Sequence, residues 1–250
     1  MAIIKLSGIK KWFPIKRGYL REAAGIVKAV DGVSLEIEKG ETFGLVGESG
    51  CGKTTLGKII LGVIKPDSGK IEINTERPQA IFQDPATSLD PKMKVSDILA
   101  EGLVIRGRGA GVGARRPWIK DRVERALDLV RLSKGSLKKY PHQFSGGERQ
   151  RIAIARAVIT DPEFILCDEP VSSLDVTVQL DILRLLKAIQ KKLSVTYLFI
   201  SHDLRVIKFM SDRVAVMKNG RIIEEGPARK IYSNPGHPYT KLLLSSILHI

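Results

Sequence analysis

The run Glu41-Thr42-Phe43-Gly44-Leu45-Val46-Gly47-Glu48-Ser49-Gly50-Cys51-Gly52-Lys53-Thr54-Thr55-Leu56 changes character twice over a short span. Its apolar start reads as a buried strand and its middle as a glycine-rich loop. Leu56, Ile59 and Ile60 then follow at helical spacing. Gly47 to Thr54 fit the pattern Gly-x4-Gly-Lys-Thr, with the strand before and the helix after that its mechanism needs. Glycines let successive backbone N–H groups turn inward around phosphates, and the helix N-terminus adds partial positive charge. Lys53 is placed to reach the β and γ phosphates and the Thr54 hydroxyl to ligate Mg²⁺. Glu48, Ser49, Gly50, Cys51 and Thr55 belong to the same loop and helix start. A chance glycine turn would not be framed by both elements. The run predicts an α/β fold.

Outward from it, three strand ends carry polar residues. Phe164-Ile165-Leu166-Cys167 is a continuous apolar strand of the kind buried in a parallel sheet, and Asp168-Glu169 close it. Ligands in α/β folds bind at that carboxyl edge. There Asp168 is expected to hold Mg²⁺ through water and Glu169 to polarise an attacking water as general base. Gln83 follows the short strand Ala80-Ile81-Phe82 and would sit near the metal and the γ-phosphate. His202 follows Thr196–Ile200 and would contact the γ-phosphate. Either residue alone is uninformative, and a lone histidine is usually structural. Ser172-Ser173-Leu174-Asp175 reads as a helix N-cap region. Phe144-Ser145-Gly146-Gly147-Glu148-Arg149-Gln150-Arg151 reads locally as a flexible turn opening a helix.

The remainder alternates strands and helices. Val27, Ala29, Val33, Leu35 and Ile37 alternate with polar residues and predict half-buried antiparallel strands. Helices are predicted over 95–104, 120–132, 146–158 and 176–193, and two short ones over 227–232 and 239–248. Asn219-Gly220 marks a hairpin between Val214–Met217 and Arg221–Ile223. The glycine- and arginine-rich stretch 106–117 reads as a solvated loop or as a contact for lipid heads or a partner.

The chain has 250 residues and a net charge of +14, spread throughout rather than gathered on a nucleic-acid-binding module, so no nucleic acid partner is expected. No apolar run approaches the ~18 residues that cross a bilayer, so any membrane role is expected through a partner. The two cysteines make no disulfide framework. Cys51 and Cys167 read as small residues in tight spaces, Cys51 alternatively as an oxidation-sensitive point in the loop.

Taken in order, the phosphate loop, Gln83, the Ser145 stretch, Asp168-Glu169, Asp175 and His202 resemble an ATP-binding-cassette (ABC) ATPase over nearly the whole chain. The Ser145 stretch corresponds to that family's signature, which other P-loop ATPases lack. The resemblance implies a P-loop NTPase core of ABC-ATPase type with an antiparallel β subdomain and a helical subdomain. It divides the chain into 1–83 and 161–226 as core, 84–160 as helical lobe and signature helix, and 227–250 as a C-terminal extension. It further implies ATP and Mg²⁺ as cofactors, with Thr54, Gln83 and Asp168 toward the metal. In a head-to-tail dimer, Ser145, Gly146, Gly147 and Glu148 would meet the ATP held by the other subunit. The loop ending in Asp175 would join the two sites. Phe13 is the expected adenine-stacking aromatic, with Trp12 and Tyr19 as alternatives.

Within the family, Phe13–Gly18, Val27–Val33, Tyr140–Phe144, Cys167–Ser172 and Asn234–Thr240 are similar to the oligopeptide/dipeptide/nickel importer group, and the Gly-Gly-Glu-Arg-Gln-Arg run to its second (F-type) ATPase subunit. Expected partners are a second ABC ATPase subunit, identical or different, two membrane permeases, and indirectly an external solute-binding protein. The expected location is the cytoplasmic face of the membrane. A soluble relative in a non-transport assembly such as carbon–phosphorus lyase is the alternative. Two departures stand out: Glu148, where the family more often has glutamine and where a carboxylate would repel phosphate unless it faces ribose or solvent, and a short stretch from Ile73 to Gln79.

Overall fold

The computed structural model describes residues 1–17, 22–76, 78–106 and 117–245. Along the chain run β1 (Ala2–Arg17), β2 (Glu22–Glu38), β3 (Thr42–Val46), α1 (Lys53–Ile60), β4 (Ser68–Ile73), β5 (Pro78–Ile81), α2 (Pro85–Ser88) and α3 (Val95–Arg106). There follow α4 (Pro117–Leu129), α5 (Gly146–Val158), β6 (Phe164–Asp168), α6 (Val176–Leu193), β7 (Thr196–Ser201), α7 (Leu204–Met210), β8 (Arg213–Lys218), β9 (Arg221–Pro227), α8 (Ala228–Ser233) and α9 (Pro238–Ser245). The chain divides into two compact units, Met1–Glu76 with Thr196–Ile250, and Arg77–Val195.

In the first unit β1 lies antiparallel between β2 and β4. Val33, Leu35 and Ile37 are buried while Ser34 and Glu36 face solvent, as their alternation requires. The alternation breaks at Val27, which is 47% exposed. Beside this sheet β3 pairs parallel with β7 and β8, and β9 returns antiparallel to β8 through Asn219-Gly220. Both turn residues have positive φ (48° and 79°), the geometry that suits a tight hairpin to twisted strands. All of β3 and all of β7 is buried. Full burial of Phe43 or Leu45 contributes about 1.5–3 kcal/mol each. Val46 lies opposite Ser201, so the chain leaves β3 and β7 at one edge.

In the second unit β5 pairs parallel with β6, and Ile81 lies opposite Cys167. The segments carrying Gln83 and Asp168-Glu169 therefore also leave their strands at a common edge. Helices α2 to α6 belong to this unit. Arg122 of α4 bonds the Ile159 carbonyl (3.2 Å) and the Asp161 carboxylate just past α5, and Arg156 of α5 bonds the Ser88 carbonyl at the end of α2. No described helix is long and apolar enough to cross a membrane. Stretch 106–117 lies outside the described residues but for its two ends, and so do residues 246–248 of the last predicted helix.

Candidate nucleotide-binding site

The loop after β3 is held by main-chain groups of its neighbours. A Cβ on Gly47 would lie 2.1 Å from the Met217 carbonyl oxygen of β8. One on Gly52, whose φ is 109°, would lie 1.9 Å from the Ala29 carbonyl oxygen of β2. Only glycine fits either place. The Gly220 N–H donates to the Cys51 carbonyl (3.0 Å), while the Gly220 carbonyl accepts from Asp31 N–H (2.8 Å), so the β8–β9 turn braces the loop from outside. Lys53 is buried, and its Nζ donates to the Gly47 (2.7 Å) and Glu48 (2.9 Å) carbonyls. The N-cap of α1 is Gly52, which brings no side-chain cap to the first-turn N–H groups. A cradle that excludes Cβ atoms, a buried ammonium and an uncapped helix start fit the phosphates of a nucleotide. Cys51 is free and buried. Burial pushes its thiol up, against the opposing pull of the Lys53 ammonium 3.7 Å from Sγ.

His202 is exposed, directly after β7. Its neighbour Asp203 caps α7, accepting the Arg205 N–H (2.8 Å) and pairing with the Arg205 guanidinium. Of the candidate stacking aromatics, Phe13 and Trp12 are about equally exposed, at 38% and 36%. Trp12 has the ammonium groups of Lys28 and Lys10 at 4.7 and 5.9 Å from its ring, and Phe13 has Lys11 at 5.6 Å. Tyr19 lies outside the described residues.

In the second unit Asp168 is buried at the end of β6 and Glu169 is half-buried. Glu169 has φ 50°, in the left-handed region that costs a non-glycine residue free energy. Its carbonyl accepts from both N–H (3.3 Å) and Oγ (3.1 Å) of Ser172, which closes the turn. Ser173 Oγ donates to the Gln83 carbonyl (3.4 Å), joining the segment after β5 to the one after β6. Asp175 caps α6, accepting the Val178 N–H at 3.0 Å, as its sequence position predicts.

The Ser145 stretch is more ordered than a flexible turn. Ser145 Oγ accepts the Glu148 N–H (3.3 Å), while Glu148 Oε2 accepts both Ser145 N–H and Ser145 Oγ–H at 2.9 Å. This is a capping box at the start of α5. The Ser145 backbone N–H, then its hydroxyl, hold the Glu148 carboxyl below the usual carboxylate range. The Glu148 carboxylate, which would repel a phosphate if it faced one, is turned back onto its own helix. Ser-x-x-Glu before an apolar run was the signal for it. A Cβ on Gly147 would lie 2.6 Å from Val178 Cγ1, and one on Gly146 3.4 Å from Leu174 Cδ2. The glycine pair lets α5 approach the start of α6.

A family model described as ABC transporter matches residues 30–172, and one described as oligopeptide/dipeptide transporter, C-terminal region, matches 223–250. The oligopeptide transport ATP-binding protein OppF of Bacillus subtilis (strain 168) is 45% identical over 98% of this chain and 82% of its own length. The peptidoglycan transport ATP-binding protein YejF of Agrobacterium fabrum is 44% identical over 97% of this chain, which spans 46% of that longer protein. Among solved structures, the dimeric post-hydrolysis state of the ATP-binding cassette MJ0796 bound to ADP and Pi superposes with a TM-score of 0.77. It is 29% identical, over 90% of this chain and 99% of the other.

Proposed function

This chain belongs to the ABC transporter family and is an ATPase coupled to solute transport, and on that premise we propose that it powers an importer of oligopeptides or dipeptides. The observation that carries the cargo class is the match of residues 223–250 to the C-terminal region of oligopeptide/dipeptide transporters. Two membrane permeases and an external binding protein are the partners proposed, and the cytoplasmic membrane face is the proposed location.

ATP supplies the β–γ phosphoanhydride bond that breaks, and Mg²⁺ supplies positive charge beside it. Gly47 to Thr55 wrap the phosphates with backbone N–H groups, Lys53 adds its ammonium, and Thr54, Gln83 and Asp168 would hold the metal. Glu169 takes a proton from the attacking water at a carboxylate oxygen, and His202 steadies the γ-phosphate. Phe13 or Trp12 stacks on the adenine. Ser145 to Glu148, with Asp175, serve the nucleotide of the second subunit. The buried Lys53, the cradle of Gly47 and Gly52 and the left-handed Glu169 support this reading.

Glu169→Gln keeps the size of the side chain and removes the base. It is expected to bind ATP within about twofold of wild type and to lose at least about 10²-fold in turnover. Equilibrium nucleotide binding and phosphate release by the assembled transporter measure the two quantities. Wild-type turnover by this variant would remove Glu169 from its role.

A further inference from the structure

The phosphate loop lies against main chain from two sheets. Gly47 meets the Met217 carbonyl of β8, and Gly52 meets the Ala29 carbonyl of β2. β2 belongs to the antiparallel sheet with β1 and β4, whereas β8 and β9 belong to the sheet of β3. The width available to the loop therefore depends on the spacing between β2 and the β8–β9 hairpin. Asp31 and Gly220 bridge that spacing. The Asp31 N–H donates to the Gly220 carbonyl (2.8 Å), and the Gly220 N–H donates to the Cys51 carbonyl (3.0 Å). A Cβ on Gly220, whose φ is 79°, would lie 2.5 Å from the Lys28 carbonyl oxygen, so the turn sits hard against β2.

An ion pair spans the same gap. Arg221 donates from Nε (2.9 Å) and from Nη2 (2.6 Å) to a single oxygen, Oδ2 of Asp31. The Asp31 side chain is 8% exposed and that of Arg221 66%. A carboxylate so covered is costly to leave without its cation, whereas the guanidinium keeps its access to water. The constraint therefore falls on Asp31, whose own N–H carries the main-chain bond to Gly220. Arg221 directly follows Gly220, so the side-chain and main-chain contacts fix the turn to one residue of β2. Neither Asp31 nor Arg221 is among the residues assigned above to ATP or Mg²⁺.

We propose that Asp31 and Arg221 are positioning residues for the phosphate loop: their pair holds the Gly220 turn on the Cys51 carbonyl and thereby sets nucleotide affinity. The inference rests on the reading of Gly47–Thr54 as the nucleotide cradle. Asp31→Ala and Arg221→Ala change the net charge in opposite directions. A long-range effect of charge on an anionic nucleotide would strengthen binding in the first and weaken it in the second, whereas lost positioning weakens both. Each variant of the full chain is expected to bind N-methylanthraniloyl-ADP about three- to tenfold more weakly. The double variant should bind no more weakly than the weaker single one, because the same pair is lost in all three. In the assembled transporter KM for ATP should rise by the same factor while kcat stays within about twofold. Should Asp31→Ala fail to fold, Asp31→Asn, which keeps the size of the side chain, takes its place with the same outcomes. Opposite shifts in the two single variants overturn the proposal, as do unchanged binding by either and additive losses in the double. A lower melting temperature with unchanged binding reduces the pair to a brace of the fold and also overturns it. Failure of the wild-type chain to bind the probe would overturn the cradle reading as well.

Discussion

At Glu148 two electrostatic demands would meet on one side chain if the Ser145 stretch faces a nucleotide. A carboxylate is favourable at a helix N-terminus and unfavourable beside a phosphate. The capping box resolves the conflict locally by directing Oε2 onto Ser145. Because the carboxyl is held below its ordinary value, its contribution to stability is complete above the unfolded-state carboxylate range. It fades as pH falls through the lowered value. Glu148→Ala should cost about 0.5–1 kcal/mol in urea unfolding at neutral pH, and Glu148→Gln less, because glutamine also closes the box. Wild-type stability of the alanine variant would show that the box carries no weight. The sequence reading took this stretch for a flexible turn, although Ser-x-x-Glu is a local pattern from which the box could have been read.

Between elements, the close approach of α5 and α6 decides how the Ser145 stretch is presented. Gly147 carries no side chain where Val178 Cγ1 arrives, so Gly147→Ala must displace one helix or the other. The expected cost is about 1–3 kcal/mol of stability, recovered in large part by Val178→Ala in the same chain. Calorimetry on the four variants of that cycle measures the coupling, and strictly additive effects would deny the contact. The sequence showed both helices with the bounds the structure gives them, Gly146–Val158 and Val176–Leu193, because their apolar periodicity is long. It did not show α7 or α2, which are too short to display a period. Nor did it show that Val27 faces outward, since alternation gives a period and not how far along a strand the core extends.

For the molecule as a whole, the family to which the chain belongs makes the second copy or partner a kinetic variable. If the Ser145 stretch serves the other subunit's nucleotide, specific ATPase activity of the purified chain should rise with protein concentration and level off once dimers form. Activity per chain that is flat across dilution would speak against a shared site. The cargo was less legible than the chemistry, because no residue of this chain need touch it. Glu169 holds a left-handed backbone. A glutamate there costs conformational free energy that glycine or asparagine would not. If Glu169 is the base, the residue best for folding and the residue best for turnover differ at this position. Selection for heat resistance alone would then drift toward a sturdier, silent cassette, and continued demand for transport would keep the glutamate in place.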